Sequence, residues 1–346
     1  MTTIIIVGII ILLISIVFQV AKTSEMVSTL KGAAQSRKDS NNILGILMLV
    51  FMPVFLIGCI WSAVHFHKDF LPESASVHGD WIDSVFNTTL IVTGLVFFLT
   101  QIALFWFAFR YREQEGKKAL YYPENNKLEM WWTIIPAIFM TVLVVTGLFY
   151  WYKITAPAPK DAMVIEVTGK QFNWIARYPG KDGKLGHKNF TLINDNNVEG
   201  LDWNDEATKD DIIPTELHFV VGKPTKIIIN SRDVMHNFDL PHFRVKLDAV
   251  PGIPTTFWFT PKYTTEEMRV RVGNPKFNFE LACAQICGQS HYAMKMAVVV
   301  QTQAEFDAWI KDQKPYYETA MPAPAVAESV PAAEEKKDEA KKEEKK

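Results

Sequence analysis

The chain has 346 residues, long enough for two domains on the usual length prior, and 36 Lys+Arg against 38 Asp+Glu leave a formal net charge of −2. That near-balance argues against a nucleic-acid surface, which shows a strong basic excess. Hydrophobic residues make up 49% of the chain and crowd into its first 152 positions, which argues against an ordinary soluble protein. Four stretches there carry no Asp, Glu, Lys or Arg: Met1 to Ala21, Ser40 to His67, Ser84 to Phe109 and Met130 to Tyr152. A bilayer core about 30 Å thick needs about 20 apolar helical residues, so each stretch predicts a transmembrane helix. Short loops rich in Lys and Arg stay in the cytoplasm. The loop after the first helix carries Lys22, Lys31, Arg37 and Lys38, and the loop after the third carries Arg110, Arg112, Lys117, Lys118 and Lys127. The second loop has only Lys68 against four acids. The N-terminus and everything after Tyr152 are therefore expected outside. Trp131, Trp132, Trp151 and Tyr152 bracket the fourth helix as an interfacial aromatic belt does. The first helix lacks a basic leader and a small-residue cleavage site, so it is read as retained. Cys59, in "LIGC", is read as a small hydrophobe of a spanning helix.

After Tyr152 the periodicity changes. "APAPK" is a short stiff linker. Short β-type runs follow: "MVIEV", "QFNWIARY", "ELHFVV", "TKIIIN", "TTFWFT", "RVRV", "FNFEL" and "MAVVVQ". Their spacing and composition predict an all-β sandwich or barrel. The polar stretch from Gly180 to Pro214 is expected to run over its surface. "TQAEFDAWIKDQ" predicts a short helix, with Thr302 and Glu305 as a capping box. From about Ala320 the sequence is low-complexity and charge-balanced, and cannot bury enough apolar surface to order itself. The fold class is thus a membrane-anchored α region followed by an all-β domain.

One stretch of the β domain concentrates metal-binding chemistry. "CAQICGQSHYAM" places Cys283, Cys287, His291 and Met294 within twelve residues. A disulfide suits an oxidising compartment but leaves His291 and Met294 as coincidence. Zinc takes Cys and His but rarely a thioether. Thiolate, imidazole and a weakly held Met form a copper electron-transfer set, and two thiolates can bridge two coppers. A second imidazole is available in "SRDVMHNF", where His236 follows the run "TKIIIN".

"SRDVMHNF" followed by "CAQICGQSHYAM" resembles the CuA domain of cytochrome c oxidase subunit II, and "NNKLEMWWTIIPAIF", "GKQFNW" and "KLDAVPG" resemble further segments of that family. The resemblance runs from about Ser84 to Gln301. It implies a two-helix anchor over 84–152 and an extracytoplasmic, cupredoxin-like Greek-key β-sandwich over 160–315. Two extra N-terminal helices over 1–67 and a charged tail over 320–346 lie outside it. It implies that Cys283 and Cys287 bridge a binuclear copper centre. His236 and His291 would each terminate one copper, with Met294 and the backbone carbonyl of Gln285 as weak ligands. The family commonly has Glu where this chain has Gln285, and that carboxylate also reaches a magnesium. A neutral amide is a weaker ligand, which counts against magnesium here. The aromatic residue that receives electrons aligns with Phe172, where the family usually has Trp. Glu129, at the cytoplasmic end of the fourth helix, matches a Glu at the mouth of a proton-uptake pathway, and an acid there also suits the helix dipole. Asp233, three residues before His236, reads equally as an acid that orients that loop or as an ordinary surface acid. The other histidines, His65, His67, His78, His187, His218 and His242, are expected to be structural or on the surface. The implied function is electron transfer from a c-type cytochrome to haem a of subunit I, where oxygen is reduced to water with proton translocation. The implied partners are subunit I, other oxidase subunits, a separate cytochrome donor and lipid, with no nucleic acid. The implied location is a bacterial-type inner membrane with the copper domain on the periplasmic side. No C-x-x-C-H occurs, so no fused c-type haem is expected.

Overall fold

A computed structural model describes residues 2–321. The chain divides into two compact units: Met1–Pro157 with Leu240–Val245 and Phe259–Lys262, and Ala158–Asp239 with Lys246–Trp258 and Tyr263–Lys346. Beyond residue 321 the expected charged tail lies outside the described residues.

The first unit contains α1 (Thr2–Lys31), α2 (Ala33–His65), the single turn α3 (His67–Phe70), α4 (Val77–Arg110) and α5 (Asn126–Ile154). Four of these are long and apolar enough to cross a membrane. Each covers most or all of one of the charge-free stretches, and each runs past it at one end or both. The 33 residues of α2 span about 50 Å at 1.5 Å per residue, more than the hydrocarbon core requires. The segment expected as a loop after the first helix is helical except at Gly32, whose φ of 82° breaks the helix. Polar residues on both sides of Gly32 support this continuation through Lys31–Asp39 and Gln35–Asp39 contacts, each 2.9 Å. Further pairs, Arg37–Glu113 and Lys38–Glu115, tie the start of α2 to the loop after α4. Ser76 caps α4 by accepting from Gly79 N, and Asn125 caps α5 by accepting from Leu128 N. Long apolar side chains stay exposed along the helices, Leu99 and Ile138 among them, as a lipid-facing surface requires.

The second unit is built from two sheets with the strand orders β2-β1-β4-β7 and β3-β9-β8-β5-β6. The strands are β1 (Met163–Lys170), β2 (Asn173–Arg177), β3 (Leu217–Val220), β4 (Thr225–Ser231), β5 (His236–Leu240), β6 (Val245–Ala249), β7 (Thr255–Phe259), β8 (Phe279–Cys283) and β9 (Lys295–Gln301). β1 pairs parallel with β4, β3 parallel with β9, and β8 antiparallel with both β5 and β9. Side chains alternate along a strand, so Ile227 and Ile229 of β4 and Val298 and Val300 of β9 go inward beside Ile165, Phe219, Phe238 and Phe279. Each such residue contributes about 1.5–3 kcal/mol by leaving water.

Two expectations are corrected here. "RVRV" is not a strand: α6 (Thr265–Val272) covers it, started by a Thr264–Glu267 capping box and ended at Gly273 with φ 69°. The Gly180 to Pro214 stretch is not merely superficial, because it buries Leu201, Thr208, Asp211 and Ile212. The reason is Arg177, which lies in the interior and needs counter-charges. It meets Glu166 at 2.7 Å and Asp211 at 3.0 Å. Burial, opposed first by Arg177, pushes the Asp211 carboxyl up to about 7. The predicted helix is present as α7 (Gln303–Asp312) with its capping box intact, and α8 (Tyr316–Ala320) follows.

Candidate metal centre

The donors converge at one end of the five-stranded sheet. The β5–β8 register pairs Phe238 with Cys283, and the Cys283 N–H donates to the Met294 carbonyl at 3.1 Å. Cys283 is therefore held by its neighbours on either side, at the point where β8 ends. The 284–294 loop leaves there and returns through a short 3₁₀ turn, His291–Ala293, into β9. His236 opens β5 and is fully buried.

The two thiols stand 3.9 Å apart. Cys283 Sγ lies 3.8 Å from His236 Nδ1 and 3.2 Å from the Gln285 carbonyl. Cys287 Sγ lies 3.5 Å from His291 Nδ1 and 3.8 Å from Met294 Sδ. Both cysteines are free, and their separation far exceeds the S–S bond of about 2.05 Å. His236, Cys283 and Cys287 present ligand atoms all within 4.8 Å of one another. Two sulfurs each about 2.3 Å from one shared ion can stand no more than about 4.6 Å apart, so this pair can share a metal. Two thiols, two imidazoles, a thioether and a carbonyl form a soft set of the kind copper takes. Burial, and then the neighbouring Cys283 thiol, push the Cys287 thiol up to about 11. A metal must therefore displace protons to bind.

The surroundings fix the donors. Asp233 Oδ1 lies 2.8 Å from His236 Nε2, which leaves Nδ1 facing the thiols. Burial raises the Asp233 carboxyl, but the Gln171 N–H, His236 and the Val234 N–H outweigh it and hold the carboxyl below its usual range. Trp174 is buried edge-to-face on His236 at 6.0 Å, as core. Gly169 is an obligate small residue: a Cβ there would come 2.9 Å from His236 Cδ2 and 3.1 Å from Trp174 Cζ3. Gly288, at φ 140°, is packed by the Phe172 ring, which a Cβ would meet at 2.9 Å. Phe172 is thus seated on the loop between Cys287 and His291. In the same ligand loop, Ile286 and Tyr292 are more than four-fifths exposed.

Phe172 and the six expected metal donors therefore come together, while Glu129 belongs to the first unit. Its Oε1 accepts from Asn125 N at the start of α5, 3.2 Å away, as a helix-cap acid does. His242 offers its backbone carbonyl to Ala75 N within the first unit. His218 stacks on Trp309 at 3.8 Å, away from the donor set. Gly169 and Gln171 carry site roles that the sequence reading did not find.

Comparison with known proteins gives two family matches. Residues 163–302 match the profile described as cytochrome C oxidase subunit II, periplasmic domain, and residues 64–149 match the transmembrane domain of the same subunit. The alternative cytochrome c oxidase subunit 2 of Bradyrhizobium diazoefficiens is 36% identical over 272 residues, covering 78% of this chain and 93% of the relative. The cytochrome c oxidase subunit 2 of Thermostichus vulcanus is 29% identical over 274 residues, covering 70% and 78%. Among solved structures, the periplasmic domain of subunit II of cytochrome oxidase from Bradyrhizobium japonicum is 26% identical, covers 45% of this chain and 95% of its own, and gives a TM-score of 0.31.

Proposed function

The chain belongs to the cytochrome c oxidase subunit II family, and from that premise we propose that it holds a binuclear copper centre through which a c-type cytochrome passes electrons to haem a of subunit I. Cys283, Cys287, His236 and His291 would hold the coppers, with Met294 and the Gln285 carbonyl as weaker donors. Such a pair supplies a one-electron site in which charge spreads over two metals, so little rearranges on reduction. The chain's own residues do the remainder. The β5–β8 ladder and Asp233 hold the first thiol and imidazole in place. Phe172, with exposed Ile286 and Tyr292, presents an apolar face to a donor next to the ligand loop. Glu129 is assigned to proton uptake at the cytoplasmic end of α5. The lipid phase is a bacterial inner membrane, with the metal domain in the periplasm.

The observation that carries this reading is the pair of thiols 3.9 Å apart, each with its own imidazole within 3.8 Å. The test is metal analysis and spin resonance of the intact purified complex. Two coppers per chain sharing one unpaired electron are expected, and Cys283→Ser is expected to lose that signal. A single zinc, or copper without the shared-electron signal, sinks the assignment.

A further inference from the structure

Gln171 stands in the turn between β1 and β2 and reaches two other chain segments. Its side-chain Nε2 donates to the Cys287 carbonyl at 2.6 Å, across 116 positions of sequence. Its backbone N–H donates to Asp233 Oδ2 at 2.8 Å, across 62 positions. The other oxygen of that carboxylate meets His236 Nε2 at 2.8 Å. One residue thus joins the loop carrying Cys287 to the loop orienting His236. The next residue is Phe172, which packs on Gly288.

Cys287 needs such a hold more than Cys283 does. Cys283 ends a strand and is paired through its backbone, whereas Cys287 lies four residues into a loop whose flanking Ile286 and Gly288 are exposed. Ligand donors must keep their positions to within about 0.5 Å to keep their function. A bond to the Cys287 carbonyl restrains the loop without touching the sulfur, so it acts through position.

We propose that Gln171 is a positioning residue that clamps the Cys287 loop against the Asp233–His236 pair and so fixes the spacing of donors from two segments. The chemistry suits Gln in particular. A side-chain amide brings an N–H to the carbonyl while the backbone N–H stays free for Asp233, and an ionised Glu of the same shape has no donor. The proposal rests on the copper reading above.

The test uses the intact complex carrying Gln171→Met or Gln171→Glu. Both variants keep the backbone N–H to Asp233 and lose the bond to Cys287. Copper release to a chelator is timed, and the spin-resonance spectrum is recorded before release. Release about tenfold faster or more, with altered hyperfine splitting, is expected, in line with the loss of a group that orients a metal ligand. Gln171→Lys, which restores an N–H donor on a longer stem, is expected to recover much of the parental release time. Release within about twofold of the parent in both Met and Glu variants, with unchanged spectra, overturns the clamp. If neither variant accumulates with copper, the Lys variant decides: copper retention supports the clamp, and failure to retain it overturns it. A parent complex without the shared-electron signal fails the copper reading itself, so the two failures are distinguishable.

Discussion

A single methyl group is enough to test how tightly the imidazole of His236 is seated. Gly169 faces its ring, and a Cβ there meets His236 and Trp174 at 2.9 and 3.1 Å, inside normal contact distance. Neither neighbour is the free end of a flexible chain, since both rings are buried. Gly169→Ala is therefore expected to cost about 1–3 kcal/mol of stability by overpacking and to lower copper occupancy while the sheets persist. Copper content and the melting temperature of the purified complex check both parts, and full occupancy in this variant contradicts the seating argument. At this scale the sequence reveals donors and conceals their supports. Two Cys, a His and a Met within twelve residues advertise soft-metal chemistry by residue type alone. Gly169 matters for an atom it lacks and Gln171 for a bond to a carbonyl, and neither property follows from residue identity without the fold.

Elements were legible where period and composition agreed, and less so where short motifs competed. "RVRV" alternates like a strand, yet the Thr264–Glu267 box before it and Gly273 after it start and stop a helix. β5 and β6 escaped because Pro241 interrupts "HNFDLPHFRVKLDA" and its polar residues dilute the alternation. α7 was readable because its capping box and one apolar face, Phe306 and Trp309, point the same way. That helix also packs on His218, whose ring stacks on Trp309. Burial lowers the His218 pKa below 6.5, opposed by Glu216 and Gln301. Between that lowered value and 6.5 the unfolded chain holds more protons than the folded one, so stability falls as pH falls through this window. His218→Phe keeps an aromatic stack and removes the titration. The melting-temperature difference between parent and variant is expected to shift against the parent from pH 7.5 to 5.5. A difference independent of pH contradicts the assignment.

At the scale of the whole molecule, four long apolar helices precede a domain whose candidate metal donors are brought together by folding. The helices were plain in the sequence because charge is absent for more than 20 residues at a time. Their polar extensions, such as 22–31 and 33–39, were not, because a count of apolar residues stops where lipid stops and a helix does not. Loop charge predicts the topology, with Lys117 and Lys118 in the cytoplasm and the second unit in the periplasm. A reporter active only in the cytoplasm is expected to work when fused after residue 116 and to be silent when fused after 321, and the reverse pattern would overturn the orientation. The placing of the donors has a further implication for how this subunit matures. His236 and Cys283 lie 47 positions apart and meet through strand pairing and an aspartate, all supplied by the polypeptide. That half of the site is set when the strands register, whereas the Cys287 half depends on its loop, so on the copper reading metal entry is expected to follow folding of the sheet.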